Sequence, residues 1–134
     1  MSARSDAKIA RAVADTVLCV QESIADNLAD ATAAMKKWTR VGMPPPEKPC
    51  LEISIDVTED DGMMDIGSHV RFGNALVKQY ADSLMIELPP CSSFRELRKD
   101  INKMKPMLCS ELVAVNLLRH AATRLQQEFE GAAA

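Results

Sequence analysis

The sequence predicts an α+β fold dominated by helices, and three patterns lead to this prediction. An apolar stripe at helical spacing runs through residues 5–40 without a proline or glycine. Residues 51–58 then alternate strictly between apolar and polar, which is typical of a strand with one buried face. A second, wider helical stripe runs from Leu108 to Phe129. For 134 residues we expect a single domain, with a long N-terminal helix, a small central sheet of two or three strands with a crossover helix, and a C-terminal pair of helices.

The long amphipathic helix over residues 5–40 is too long for a compact domain of this size. It would extend about 54 Å at 1.5 Å per residue, whereas a globular chain of this length is roughly 36 Å across. The helix therefore has to bend, break or project. It either folds back on the C-terminal helix within one chain or uses its excess apolar face to form a homodimer, which we favour. The residues expected at that interface are Val17, Ile24, Leu28, Met35 and Trp38.

A proline-rich spacer separates this helix from the rest of the chain. Gly42 is a suitable helix terminator, and Lys36, Lys37 and Arg40 place cations in the last turns, where the helix dipole favours them. Residues 43–50 contain four prolines and favour an extended path.

Residues 51–90 form an acidic strand/helix/strand core, with eight carboxylates and only two cations. The dipeptide Asp61-Gly62 predicts a hairpin turn after the first strand. Residues 64–72 keep the alternation and are expected to form the return strand. A helix from Asp65 to Ser83 is the alternative, although Gly67 and Gly73 disfavour it.

The end of the acidic core contains a second helix and a third strand. Residues 74–83 have a short helical pattern, and residues 84–88 are apolar and end at two prolines. A strand–helix–strand passage of this kind can place its strands side by side through a right-handed crossover.

The C-terminal region predicts two helices. Ser93 and Glu96 match a capping box, which opens the first of them. Pro106 is suited to the first turn of a new helix, because its missing N–H has no helical partner there. Residues 131–134 are expected to be a frayed tail.

No motif for catalysis, nucleotides or metals is present, so we expect no enzyme activity, no metal and no cofactor. The acidic loop at residues 59–65 lacks the order of an EF-hand loop and is expected to be a solvated hairpin tip rather than a cation site. Neither histidine belongs to a nucleophile signature. The four cysteines contain no C-x-x-C pair and are expected to be reduced; they are Cys19, Cys50, Cys91 and Cys109.

One basic cluster is an exception to the acidic balance of the chain. Its members lie at helical spacing, so that they share one exposed arc that could contact phosphates; they are Arg95, Arg98, Lys99 and Lys103. The five aromatic residues do not interleave with them, which argues against a platform that stacks bases. A solvated helix face is the simpler interpretation.

The leading hypothesis is a non-enzymatic interaction or assembly protein. We expect a homodimer that acts as a subunit or accessory factor and contacts other protein subunits. The alternative is a component of a particle or complex that binds RNA or DNA through the basic face of residues 93–104. The apolar runs are too short to cross a bilayer and no secretory signal is apparent, so we expect a cytoplasmic protein without membrane contact.

Overall fold

The computed structural model describes residues 3–74 and 83–133. In these ranges, a long N-terminal helix is followed by three strands and two C-terminal helices, which confirms the predicted α+β class. In chain order the elements are α1 (Ala3–Arg40), β1 (Pro49–Asp60), β2 (Met63–Asn74), β3 (Ser83–Glu87), α2 (Phe94–Leu108) and α3 (Glu111–Ala133).

The helix α1 is unbroken over 38 residues, which corresponds to about 57 Å. It ends at the predicted glycine, because Gly42 adopts φ +74°, a conformation that costs glycine little. The Met43 N–H donates to the Trp38 carbonyl at 3.0 Å, and the Gly42 N–H donates to that of Thr39 at 3.2 Å. These two bonds satisfy carbonyls of the last turn and close the helix.

The strands β1 and β2 form the predicted antiparallel hairpin. Asp61 and Gly62 both have positive φ angles, 51° and 78°, as a two-residue turn of type I′ requires. The register pairs Ile53 with Val70 and Ile55 with Ser68. The segment 64–72 is therefore a strand and not the start of a helix.

The third strand lies on the far side of β1, so the sheet order is β2-β1-β3. β3 pairs antiparallel with β1, from Cys50 opposite Glu87 to Ser54 opposite Ser83. β2 and β3 are thus parallel, but β1 separates them, so the strands of the expected crossover are not adjacent. A crossover helix is expected over residues 74–83. Its two end residues, Asn74 and Ser83, belong to strands in the structure, and residues 75–82 lie outside the described residues.

The helix α1 covers the outer edge of the sheet at β2. The Ser68 backbone N–H donates to Ser23 Oγ at 2.9 Å, and its carbonyl accepts from Asn27 Nδ2 at 2.7 Å. Ser68 thus directs its N–H to α1 rather than to β1. Covering an edge strand in this way prevents another strand from pairing with it.

The core lies between the sheet and the three helices. Alternate residues of β1 (Leu51, Ile53 and Ile55) point into it and are almost fully buried. They meet the buried stripes of the helices, of which Ile24, Leu97 and Leu117 are central members. The opposite face of the sheet carries the alternate, mostly polar residues of β1 and β2.

The junction between α2 and α3 differs from the expectation. The prediction that Pro106 begins a new helix is wrong, because Pro106 lies within the last turn of α2. A proline near the end of a helix removes one ladder bond, and the burial of Leu108 in the core favours continuing the turn. α3 begins after Ser110, whose hydroxyl accepts the Val113 N–H at 3.3 Å.

Candidate interaction surfaces

The five residues expected at a subunit interface are core residues of the protomer. Ile24, Leu28 and Met35 have almost no exposed surface, and Val17 is 6% exposed. Trp38 is half-buried and packs against the core. A side chain without exposed surface contributes none to a contact between protomers. A contact between folded protomers would therefore have to use other residues.

The N-terminal end of α1 is the part that the body of the protein does not cover. Every side chain from Arg4 to Asp15 is exposed, and Val17 is the first buried residue along the helix. These twelve residues, which we call the projecting segment, correspond to about 18 Å of helix. The length mismatch in the sequence is therefore resolved by projection, without a break.

The projecting segment continues the apolar stripe of α1 into solvent. Ile9 is 52% exposed and Val13 is 57% exposed. At 100° per residue, both lie on the same side as the buried Val17 and Val20. Alanines border this stripe on both sides and allow close helix contact; they are Ala10 and Ala12.

The basic side chains of the projecting segment lie away from the stripe, whereas Asp6 lies about 40° from the midpoint between Ile9 and Val13. Arg4, Lys8 and Arg11 line one shallow depression together with Ala7. By helical spacing they are about 120–180° from the midpoint between Ile9 and Val13. The segment therefore has an apolar side lined with small residues and a basic side.

Sequence reasoning missed Ile9 and Val13 as candidate interface residues. The length mismatch indicates that one end of the helix projects, but not which end. A signal was present: the spacer 43–50 must return the chain to the first strand, which holds the C-terminal end against the body. The free end therefore had to be the N-terminal one.

The predicted basic face is present on α2. Arg95, Lys99 and Lys103 are exposed on successive turns, whereas Arg98 is half-buried. The Arg98 Nε is buried without a hydrogen-bond partner in the described part of the chain. No ion pair within 4.0 Å joins any of the four to a carboxylate among residues 3–74 and 83–133.

The N-terminus of α2 is held by the predicted capping box. The Glu96 N–H donates to Ser93 Oγ at 3.2 Å. The Glu96 carboxylate accepts the N–H of Ser92 at 2.9 Å, one residue before the cap. This backbone hydrogen bond is the main cause of the lowered pKa of Glu96, with smaller contributions from the Ser92 side chain and from the charge of Lys99. The box fixes where the basic face begins.

None of the four cysteines forms a disulfide. Cys50 is buried, and Cys91 and Cys109 are half-buried. Burial raises the pKa of the Cys109 thiol, and burial followed by the charges of Glu96 and Asp100 raises the pKa of Cys91. Both thiols are therefore less reactive than a free cysteine at neutral pH.

An aromatic groove lies at the C-terminal end of α1. The Trp38 ring stacks on Phe72 with a centroid distance of 6.3 Å and tilts against Phe94 at 5.6 Å. Met43 and the three prolines 44–46 line its other side, and the groove has a volume of about 490 Å³. The spacer is thus part of the wall of a groove as well as a connection.

The acidic hairpin tip is exposed at Glu59, Asp61 and Asp65. No group of three or more His, Cys, Asp or Glu side chains within the described ranges is arranged to hold a metal ion. No helix there is long and apolar enough to cross a membrane.

These surfaces have to be interpreted from their own chemistry. Comparison of the chain with models of protein families, with curated proteins and with solved structures finds no match.

Proposed function

We propose that this protein is a non-enzymatic interaction or assembly protein that forms a homodimer through the projecting segment of α1. The observation that carries the proposal is the exposure of Ile9 and Val13 on the same stripe that is buried from Val17 onward. An amphipathic helix whose apolar side extends beyond its own fold is typical of helix–helix association.

A second copy of the chain is the partner that the segment suits best. In a two-fold contact the apolar stripes of two projecting segments face each other, and the bordering alanines let the helices approach closely. Arg4, Lys8 and Arg11 then point outward on both copies, which keeps their like charges apart. The dimer would carry two copies of the basic surface and two of the acidic surface. It would act as a subunit or accessory factor of a larger complex.

The expected association is weak. Stable protein interfaces bury about 800 Å² per partner, and about three helical turns with two large apolar side chains offer less than this. We therefore expect a dimer whose population rises with concentration in the micromolar range or above, rather than an obligate one.

Sedimentation equilibrium over a range of concentrations tests the proposal. The double variant Ile9→Glu/Val13→Glu should be monomeric where the wild type associates, because four charges would meet in the contact. Glutamate is a good helix former, so the helix should persist. The circular dichroism and the melting temperature should change little, since neither side chain is buried.

Leu18→Glu is the matched control. Leu18 is 53% exposed on the same helix, but it lies about 160° from the midpoint of the Ile9–Val13 stripe. This variant should associate like the wild type. A wild type that is monomeric at every concentration, or a double variant that still dimerises, would refute the proposal.

A second candidate function is nucleic-acid binding by the basic face of α2. It is favoured by the exposure of Arg95, Lys99 and Lys103 on successive turns without a carboxylate partner in the described chain. With three phosphate contacts, the logarithm of the binding constant should fall linearly with the logarithm of the salt concentration, with a slope of about −2 to −3. Fluorescence anisotropy with a labelled RNA or DNA of random sequence measures this slope.

The variant Lys99→Glu/Lys103→Glu should abolish such binding. Lys36→Glu/Lys37→Glu makes the same charge change on the exposed side of α1 and should retain it. Equal losses in both variants would indicate attraction by net charge alone.

A further inference from the structure

A polar cavity of about 310 Å³ lies where α3 meets the hairpin of β1 and β2. All three elements contribute residues to it. Its described lining residues are Glu52, Ser54, Ile55, Asp56, His69, Arg71 and Arg124. Five of these seven carry ionisable groups, so charges of both signs converge on one small space.

Glu52 is the most unusual member of this cavity. It is only 3% exposed, and it is the one charged or polar residue of the described chain that is fully buried. No hydrogen bond or ion pair joins it to another described residue. Because a buried carboxylate without a partner is unfavourable, a cationic group placed beside Glu52 would be stabilised there.

Positive charge lies next to Glu52 on the neighbouring strand. Arg71 is directly opposite Glu52 in the β1–β2 register, yet their charged groups are more than 4.0 Å apart. Arg124 lines the same cavity from α3 and already has an interaction partner of its own. An anionic group beside Arg71 would accept charge-assisted hydrogen bonds from its guanidinium group.

The remaining polar groups form the rim. His69 Nδ1 and Asp56 Oδ2 are 4.0 Å apart, and both side chains are more than half exposed. Ser54 is opposite His69 in the register and adds a hydroxyl that can donate or accept. The rim is thus polar and open to solvent; of the charged groups beside it, Glu52 is buried, Arg124 is half-buried and Arg71 is exposed.

We propose that this cavity binds a small zwitterion of the α-amino-acid class, with its ammonium group at Glu52 and its carboxylate at Arg71. The ammonium and carboxylate groups of an α-amino acid are attached to the same carbon, which suits the adjacent positions of Glu52 and Arg71. The volume is at the lower end of that of ligand pockets and fits a molecule of this size rather than a nucleotide. The proposal does not depend on dimerisation, because the projecting segment contributes no residue to the cavity.

Titration of the ¹⁵N-labelled protein with L-alanine, followed by NMR, tests this assignment. Saturable shifts of the Ser54 and His69 amides at millimolar concentrations are expected. Acetate and methylammonium, which each present only one of the two charged groups, should bind at least about tenfold more weakly, since each forms only part of the charged contacts.

Glu52→Gln removes the buried charge without changing the shape of the side chain and should weaken L-alanine binding about tenfold or more. Arg71→Gln, at an exposed position, provides a second variant that keeps the fold and should weaken binding similarly. Glu59→Gln is the control, because it is the same change on the same strand outside the cavity, and it should bind like the wild type. The absence of saturable shifts, equal binding of acetate, or unchanged binding by Glu52→Gln would overturn the proposal.

Discussion

Val13 and Val17 are one turn apart on the same stripe of α1, yet Val13 is 57% exposed and Val17 only 6%. Their environments differ because the body of the protein reaches only as far as the turn that contains Val17. A periodic pattern assigns both to the apolar side of a helix but does not show which part of that side is covered. The consequences of substitution should therefore differ sharply along one stripe.

Truncation of the stripe tests this difference at the residue level. Leu28→Ala should lower the free energy of unfolding by about 2–5 kcal/mol, because it opens a cavity in the core. Ile9→Ala should change the free energy of unfolding of the monomer by less than about 0.5 kcal/mol. Urea denaturation monitored by circular dichroism measures both, and equal effects would show that the projecting segment is covered within the protomer.

The side chains that cap Ser68 give a second residue-level prediction. Ser23→Ala leaves the Ser68 N–H without its hydroxyl acceptor and should cost about 1 kcal/mol or more. Thr32→Ala is the control on the same helix, since its hydroxyl bonds only to the carbonyl of Ala29 within α1. A neutral Ser23→Ala variant would mean that water replaces the hydroxyl and that this edge is open.

Among the elements, α2 follows its local sequence at the start and departs from it at the end. Ser93 and Glu96 form the cap that their spacing predicts, because a capping box needs only residues three positions apart. Pro106 has a local preference for a helix start, but the core position of Leu108 keeps it within α2. Local hydrogen bonds can therefore be read from the sequence more safely than a boundary that depends on packing.

The capping box predicts a pH dependence. The hydrogen bond from Ser92 lowers the pKa of Glu96 below its ordinary value of 4.5 in the folded state. Between the lowered pKa and 4.5 the unfolded chain binds more protons, so stability falls as the pH decreases through this range. At neutral pH the free energy of unfolding should be larger for the wild type than for Glu96→Gln. This difference should vanish below the lowered pKa.

Thermal unfolding of both proteins from neutral to acidic pH measures this advantage. Glu111→Gln, in the first turn of α3, is the control for a carboxylate near a helix N-terminus that has no such bond among the described residues. A difference between wild type and Glu96→Gln that stays constant with pH would contradict the assigned hydrogen bond.

In the whole molecule, one end of α1 is built into the core and the other is left free. The helix closes the β2 edge at Ser68, packs against α2 and α3, and then extends beyond them. Because the folded part supplies the helix nucleus, the projecting turns add to an existing helix and avoid the cost of nucleation. They remain the least protected part of the helix, since tertiary contacts do not hold them.

Hydrogen exchange at two protein concentrations tests this organisation. In dilute solution the amides of residues 8–15 should exchange much faster than those of residues 20–35. At high concentration the protection of residues 8–15 should rise, and it should not rise in Ile9→Glu/Val13→Glu. Equal and strong protection along all of α1 in dilute protein would contradict projection from the monomer.

Local sequence patterns are enough to predict the α+β class, the long helix, its end at Gly42, the hairpin turn at Asp61-Gly62 and the cap at Ser93. Each of these depends on residues close together in the chain, through periodicity, backbone conformation or a local hydrogen bond. Three features follow from packing instead: which turns of α1 are covered, the pairing of β3 with β1, and the meeting of Glu52, Arg71 and Arg124 in one cavity. Those outcomes depend on contacts between residues far apart in the chain, because burial belongs to the packed arrangement and not to any single segment.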